Sequence, residues 1–262
     1  MIFISRLVYI ELPAGMISFA VLDWAAWAPG LSDRLQWMQW KANPALPSGT
    51  DAPALEQVPA MLRRRMDQLA RMAIEVALSS GRQAGDDEDI AWIFASRHGE
   101  VARSLGLLES VATQSSLSPI GFGLSVHNAA AASYSIITSF QGNYLALAGA
   151  RATVEHACIE AAGLLQDGCR EVRLVVCDVP LPALYSDFAD EPQAPFAWCW
   201  RLAAAGSGGV DLSLAWGTAA TGDAAVTDGL PAALDRHRFL LSTESSMQRA
   251  ADGQVWHWKK HG

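Results

Sequence analysis

Apolar positions recur along this chain at two alternating periods, one suited to strands and one to helices. "MISFAVLDWAAWAPG", from residue 16, reads as a strand stopped by Pro29 and Gly30. Leu31, Leu35, Trp37, Met38 and Trp40 then predict a short helix over 31–41 with Ser32 as its N-cap. A loop marked by Pro44, Pro47, Gly49 and Pro53 follows. Beyond it, Met61, Met66, Leu69, Met72, Ala73 and Val76 fall at helical spacing and predict one amphipathic helix over 58–80. "IAWIFAS", after the acidic run at 86–89, is a near-continuous apolar run of strand length, the mark of a strand covered on both faces.

A helix over 100–111 comes next. Ser118 and Pro119 start another, a break falls near 126–128, and small residues carry a helix over 129–137. "NYLALAGARATVEHACIEAAGLL" (143–165) reads as strand, turn and helix, and "EVRLVVCDVP" as a further buried strand. Two weaker strands, "FAWCWRLA" and "VDLSLAWG", flank "GSGG" (206–209), which reads as a hairpin turn. A helix over 231–241 precedes a stretch that reads as a polar tail, 246–262. Strands alternating with helices predict an α/β fold with a mixed sheet covered by helices.

With 262 residues, of which 51% are hydrophobic, the chain holds enough apolar material for one large domain. A net charge of −8 without a basic stripe excludes a nucleic-acid surface. The one dense cationic run, Arg63, Arg64 and Arg65, reads as a solvated helix face. Cys158, Cys169, Cys177 and Cys199 form no CxxC pair, so reduced thiols in the cytoplasm are expected rather than a disulfide framework or a zinc site. The uncharged stretch from Leu12 to Leu22 is far shorter than the ~20 residues a spanning helix needs, so no membrane span is expected.

The turn between strand and helix near residue 149 is where many α/β enzymes hold a nucleophile, because the helix N-terminus stabilises an anion there. Here it offers Ala148, Gly149, Ala150, Arg151 and Ala152, none of them nucleophilic. No GxSxG elbow is present, and "GSGG" lacks a P-loop lysine. His127 and Asn128 form the most polar spot inside an apolar region. His257 and His261 are four residues apart with no third ligand in view, so no metal is expected there. No cofactor is expected either.

Several segments, in order, resemble the N-terminal half of a β-ketoacyl synthase. They are "FASRHGE", "LSPIGFGLSVHNAAAASYSI", "FQGNYLALAGA" with its following helix, and "VRLVVCDVP". "WAAWAPG" and "PAMLRRRMDQLARMAIEVA" fit the same group. The likeness is strongest to ketoacyl synthase-like, chain length factor-type proteins of bacterial aryl-polyene and xanthomonadin-type pigment clusters, over roughly residues 17 to 240. It implies a single, N-terminal-type half of a thiolase-like fold. It places Arg151 where the condensing cysteine would stand, with a slip to Ala150 or Ala152 left open. It also implies a non-catalytic subunit in polyketide or fatty-acid-type biosynthesis, partnered by a ketoacyl synthase, an acyl carrier protein, or a second copy. His127, Asn128, Tyr134 and Leu145 are then candidates for an acyl pocket or an interface. The alternatives are a small acyl-transfer or hydrolytic enzyme using His127 and a cysteine, or a homodimeric scaffold. The resemblance makes 16–245 the synthase-like domain and 1–15 an extension outside the family pattern.

Overall fold

The computed structural model describes residues 15–81, 89–218 and 229–262. The order runs β1 (Gly15–Trp27), α1 (Arg34–Trp40), α2 (Ala60–Arg63), α3 (Gln68–Ser79), β2 (Ile90–Ala95), α4 (Val101–Ala112), α5 (Pro119–Gly123) and α6 (Ala129–Thr138). It continues through β3 (Tyr144–Leu147), α7 (Thr153–Gln166), β4 (Glu171–Asp178), β5 (Phe196–Ala204), β6 (Val210–Thr218), α8 (Ala232–Leu241), β7 (Ser246–Ala251) and β8 (Gln254–His261). The strands make one sheet in the order β3-β2-β4-β5-β1-β6-β8-β7. β3, β2 and β4 are parallel. The other pairings are antiparallel. The mixed sheet covered by helices is the one the sequence pattern predicts.

β2 shows why its sequence carries no alternation. Ala91, Ile93 and Ala95 point to one core, with α1, α7 and α8, while Ile90, Trp92 and Phe94 point to the other, with α3 and α6. Both faces are dry, so every position is apolar. β4 is buried from Glu171 to Cys177 for the same reason. Its one internal charge, Arg173, meets Glu171 at 3.1 Å and donates to the Ser80 carbonyl at 3.0 Å, tying the end of α3 to the sheet.

Four expectations are corrected. The helix over 58–80 is two helices: Asp67 breaks the run because its carboxylate caps α3, accepting from the Ala70 amide at 3.1 Å. α1 is capped by Asp33 rather than Ser32, in a reciprocal box with Gln36. "GSGG" does not turn a hairpin, because β1 lies between β5 and β6; a Cβ on Gly209 would run into the Val21 carbonyl as the connection crosses β1 at its middle. The polar tail is a hairpin, β7 and β8, joined to the sheet through β6. Its polar residues alternate with Val255, Trp256 and Trp258, which are buried. Gly15 pairs with Trp216, and the rest of the expected 1–15 extension lies outside the described residues, as does most of the acidic run. Arg63 donates to the Leu55 carbonyl at 3.2 Å, whereas Arg64 and Arg65 are exposed, so the cationic run is only in part a solvated face.

The hairpin is locked from inside. Glu155 on α7 is 0% exposed and Arg236 on α8 is 2% exposed, with Nε and Oε1 2.6 Å apart. Trp258 on β8 donates its indole N–H to the same oxygen at 3.1 Å. Truncating one member of such a pair leaves a bare buried charge and costs about 3–5 kcal/mol. Arg236→Met should therefore lower unfolding free energy in urea by about 3–5 kcal/mol. The double variant Glu155→Leu, Arg236→Met should recover most of that loss.

Candidate functional site

Parallel strands gather side chains at their carboxyl ends, and a crevice there is the usual ligand site of an open α/β sheet. In this chain β2, β3 and β4 bring together residues 96–100, the turn at 148–153 and Asp178. The turn after β3 keeps the geometry of a nucleophile elbow. Ala150 has φ of 47°, a left-handed conformation that costs a non-glycine residue energy and persists only where the surroundings enforce it. Thr153 enforces it, accepting from the Gly149 amide at 3.0 Å and donating to the Ala150 carbonyl at 2.7 Å. A Cβ at Gly149 would meet the His156 ring, which would have to move to admit a larger residue.

Arg151, next along the turn, is half-buried. Its Nε lies 3.9 Å from Asp190 and 3.8 Å from Asp252. A cation at a helix start opposes the helix dipole, and these two carboxylates offset it. Asp252 comes from the tip of the β7–β8 hairpin and also accepts from the Ala152 amide at 3.3 Å. An acid from the far end of the chain therefore occupies the anion position of α7. Cys158, two turns further along α7, is fully buried, and burial pushes its thiol well above the ordinary range, as does neighbouring Glu155.

Sequence reasoning assigned no role to the second group at this edge. Asp178 accepts from the Ser96 hydroxyl at 2.8 Å, the Arg97 amide at 2.9 Å and the His98 amide at 3.3 Å. Burial pushes its carboxyl up to about 7 against those hydrogen bonds. Arg97 binds Asp190 and, at 2.9 Å, Glu191, while Glu191 also accepts from the Ala232 amide at the start of α8. The acidic segment 190–191 is thereby strapped across the sheet edge. The cleft beneath it, lined by Arg97, Asp178, Glu191 and Phe196, offers about 20 Å³. That suits about one water and no acyl chain. A polar residue directly after an apolar strand, in "IFASR" and "VVCD", was the available signal.

The remaining candidates do not form one site. The His127 ring packs on Gly99, and Nε2 meets the Ser96 carbonyl at 2.9 Å, so it anchors the turn before α6 to the end of β2. Asn128 is exposed at the start of α6 and makes no capping hydrogen bond with its side chain. Tyr134 is corrected from pocket or interface to core: it is 1% exposed, with its ring 4.2 Å from that of Trp92. Leu145 is half-buried on β3, the edge strand. His257 is exposed on β8 and His261 meets the Ser213 hydroxyl at 2.8 Å; among the described residues no group of three potential ligands could hold a metal.

A separate apolar groove of about 560 Å³ opens between α4 and α5, lined by Leu107, Leu108, Val111, Leu117, Pro119 and Phe122. Its volume falls in the range that encloses small organic ligands. Phe122 is 67% exposed and Leu108 59% exposed. Among the described residues no helix is long and apolar enough to cross a membrane.

A search of curated proteins finds no match. Among solved structures, the ketosynthase ApeO in complex with its chain length factor ApeC, from Xenorhabdus doucetiae, contains a chain 26% identical to this one. The TM-score is 0.79, over 93% of this chain and 99% of that one. The ishigamide ketosynthase/chain length factor superposes with a TM-score of 0.63 at 14% identity, over 79% of this chain and 69% of that one, a likeness of fold. The ketosynthase of the AntDE:AntF complex, a type II polyketide synthase assembly with its acyl-carrier protein, gives 0.57 at 12% identity, over 71% and 63%. The sheet is thus that of the thiolase-like ketosynthases. The model of the β-ketoacyl synthase N-terminal domain matches residues 37–259, elbow, strap and hairpin included, and the chain belongs to that family.

Proposed function

We propose that this chain is a non-catalytic subunit of chain length factor type, acting in polyketide or aryl-polyene-type biosynthesis beside a ketoacyl synthase and an acyl carrier protein. The elbow carries the reading. Its strained turn is kept at Ala150, while Arg151 stands at the degenerate nucleophile position with Asp190 and Asp252 beside it. Claisen condensation needs a thiolate to carry the acyl group and donors to stabilise the decarboxylated carbanion. Cys158 and Cys177 are buried with raised pKa values, and burial pushes Cys199 up to about 12. His127 is held on a backbone carbonyl. These placements disfavour an acyl-transfer or hydrolytic enzyme built on His127 and a cysteine. The complex of ApeO with ApeC supports a synthase as partner, and the free thiols fit a cytoplasmic setting.

The partner surface follows from the sheet. Among the described residues β3 pairs only with β2, and its outer row of N–H and C=O groups has no partner strand there. A free apolar edge of that kind templates foreign strands unless something covers it. Tyr144–Leu147 with Leu145 at its centre, and the α4–α5 groove, supply the apolar core that a specific interface of ~1,600 Å² or more requires.

Two measurements test this reading. The chain alone should neither decarboxylate nor condense malonyl and acyl carrier substrates, and Arg151→Cys should stay inactive; turnover by the wild-type chain would refute a non-catalytic role. Leu145→Asp should abolish co-purification with the cognate synthase, because an unpaired charge would sit inside the contact. An undiminished complex would place the interface elsewhere.

A further inference from the structure

His237 on α8 is 0% exposed and belongs neither to the elbow nor to the apolar groove. Tryptophans enclose it. Trp198 on β5 stacks on its ring at 5.7 Å, while Trp24 on β1 and Trp37 on α1 stand across it at 5.2 and 5.4 Å. Trp200 on β5 donates its indole N–H to the imidazole Nδ1 at 3.0 Å. An indole nitrogen can only donate, so Nδ1 must offer its lone pair and the one proton of the neutral ring sits on Nε2. Nε2 has no oxygen or nitrogen partner among the described residues. We propose that His237 is a neutral latch, fixed as its Nε2–H tautomer, which ties α8 to the sheet and releases it when the ring takes up a second proton.

A second proton has nowhere to go. On Nδ1 it would point at the Trp200 N–H, setting two donors against each other across 3.0 Å. The charge would also lie in an apolar cage. The Trp198 face attracts a cation, but by less than full burial costs one.

No carboxylate compensates. On β1, Asp23 is bound to Arg34 at 2.6 Å, and Arg34 brings a further positive charge from α1. Lys41, after α1, is turned to the Leu241 carbonyl. On β5, Arg201 is held by Glu171. On α8 itself, Asp235 is taken by Arg238 and Arg249, and Arg236 by Glu155 of α7. On β8, Lys260 donates to the Ser242 carbonyl. Burial first, then Arg34, pushes the imidazole from the ordinary 6.5 down to about 3.

The sign follows from that depression. The stabilisation is fully present above pH 6.5 and is lost as pH falls through about 3, because the unfolded chain takes up the proton first. The latch opens with acid. α8 also carries Asp235, which grips Arg249 of β7 at 2.7 Å, so its release reaches the hairpin that bears Asp252.

The test unfolds the full chain in urea from pH 4 to pH 8 beside His237→Asn, whose Oδ1 keeps an acceptor near the place of Nδ1 and cannot titrate. The ratio of the two unfolding constants should be flat above pH 7 and change about tenfold per pH unit between pH 6 and pH 4, the effect of one proton, with the wild type losing more stability. A ratio independent of pH overturns the latch. Nitrogen-15 NMR of the wild type decides independently of the variant's folding. A bare Nδ1 and a protonated Nε2, unchanged from pH 7.5 to pH 5, support the latch; a proton on Nδ1, or titration near 6.5, refutes it.

Discussion

The pairing of Glu155 with Arg236 is the constraint on which the rest of the architecture hangs. A carboxylate and a guanidinium are withdrawn from water together, at a cost that only close contact and a full set of hydrogen bonds can offset. Trp258 supplies one of those bonds. α7, α8 and β8 are fixed by a single oxygen, and with β8 comes the hairpin whose tip delivers Asp252 to the elbow. The state of the elbow is decided about a hundred residues downstream of it. Among the described residues Glu155 Oε2 and His237 Nε2 have no hydrogen-bond partner, so this interior polarity is only partly satisfied. Its contribution lies in specifying one arrangement more than in adding stability.

Much of this was legible in the sequence. The strands over 90–95 and 171–178, and the helices over 101–112, 119–123 and 153–166, lie where the apolar periods place them, since a strand dry on both faces and a helix with one wet face leave unlike patterns. The mixed sheet was visible for the same reason. What stayed hidden was non-local. "QVWHWKKH" does alternate, but its lysines and histidines gave it a polar average that masked buried Trp256 and Trp258. Asp67 interrupts a helical period without disturbing it, because one capping side chain outweighs the apolar repeat around it.

The site was half legible. The turn at 148–153 could be found because strand and helix flank it, but nothing local says that Asp190 and Asp252 would stand beside Arg151. Tyr134 was a pocket or interface candidate through the resemblance alone; its ring packs on Trp92, Phe94 and Phe140. Asp178, Ser96 and Arg97 went unassigned because each is unremarkable alone and acquires meaning only when two parallel strands end side by side.

The position of β1 has a consequence for synthesis. It is the first strand of the described chain, yet it runs down the middle of the sheet between β5 and β6, with Phe19 opposite both Ala204 and Leu212. On a ribosome, β1 emerges long before either neighbour exists. It waits as an apolar ribbon with both edges open while most of the polypeptide is made. Contacts between such distant segments carry a large loop-closure cost and fold slowly. The native sheet is therefore a late event, and the nascent chain spends that interval dependent on whatever shields an unpaired strand from its neighbours.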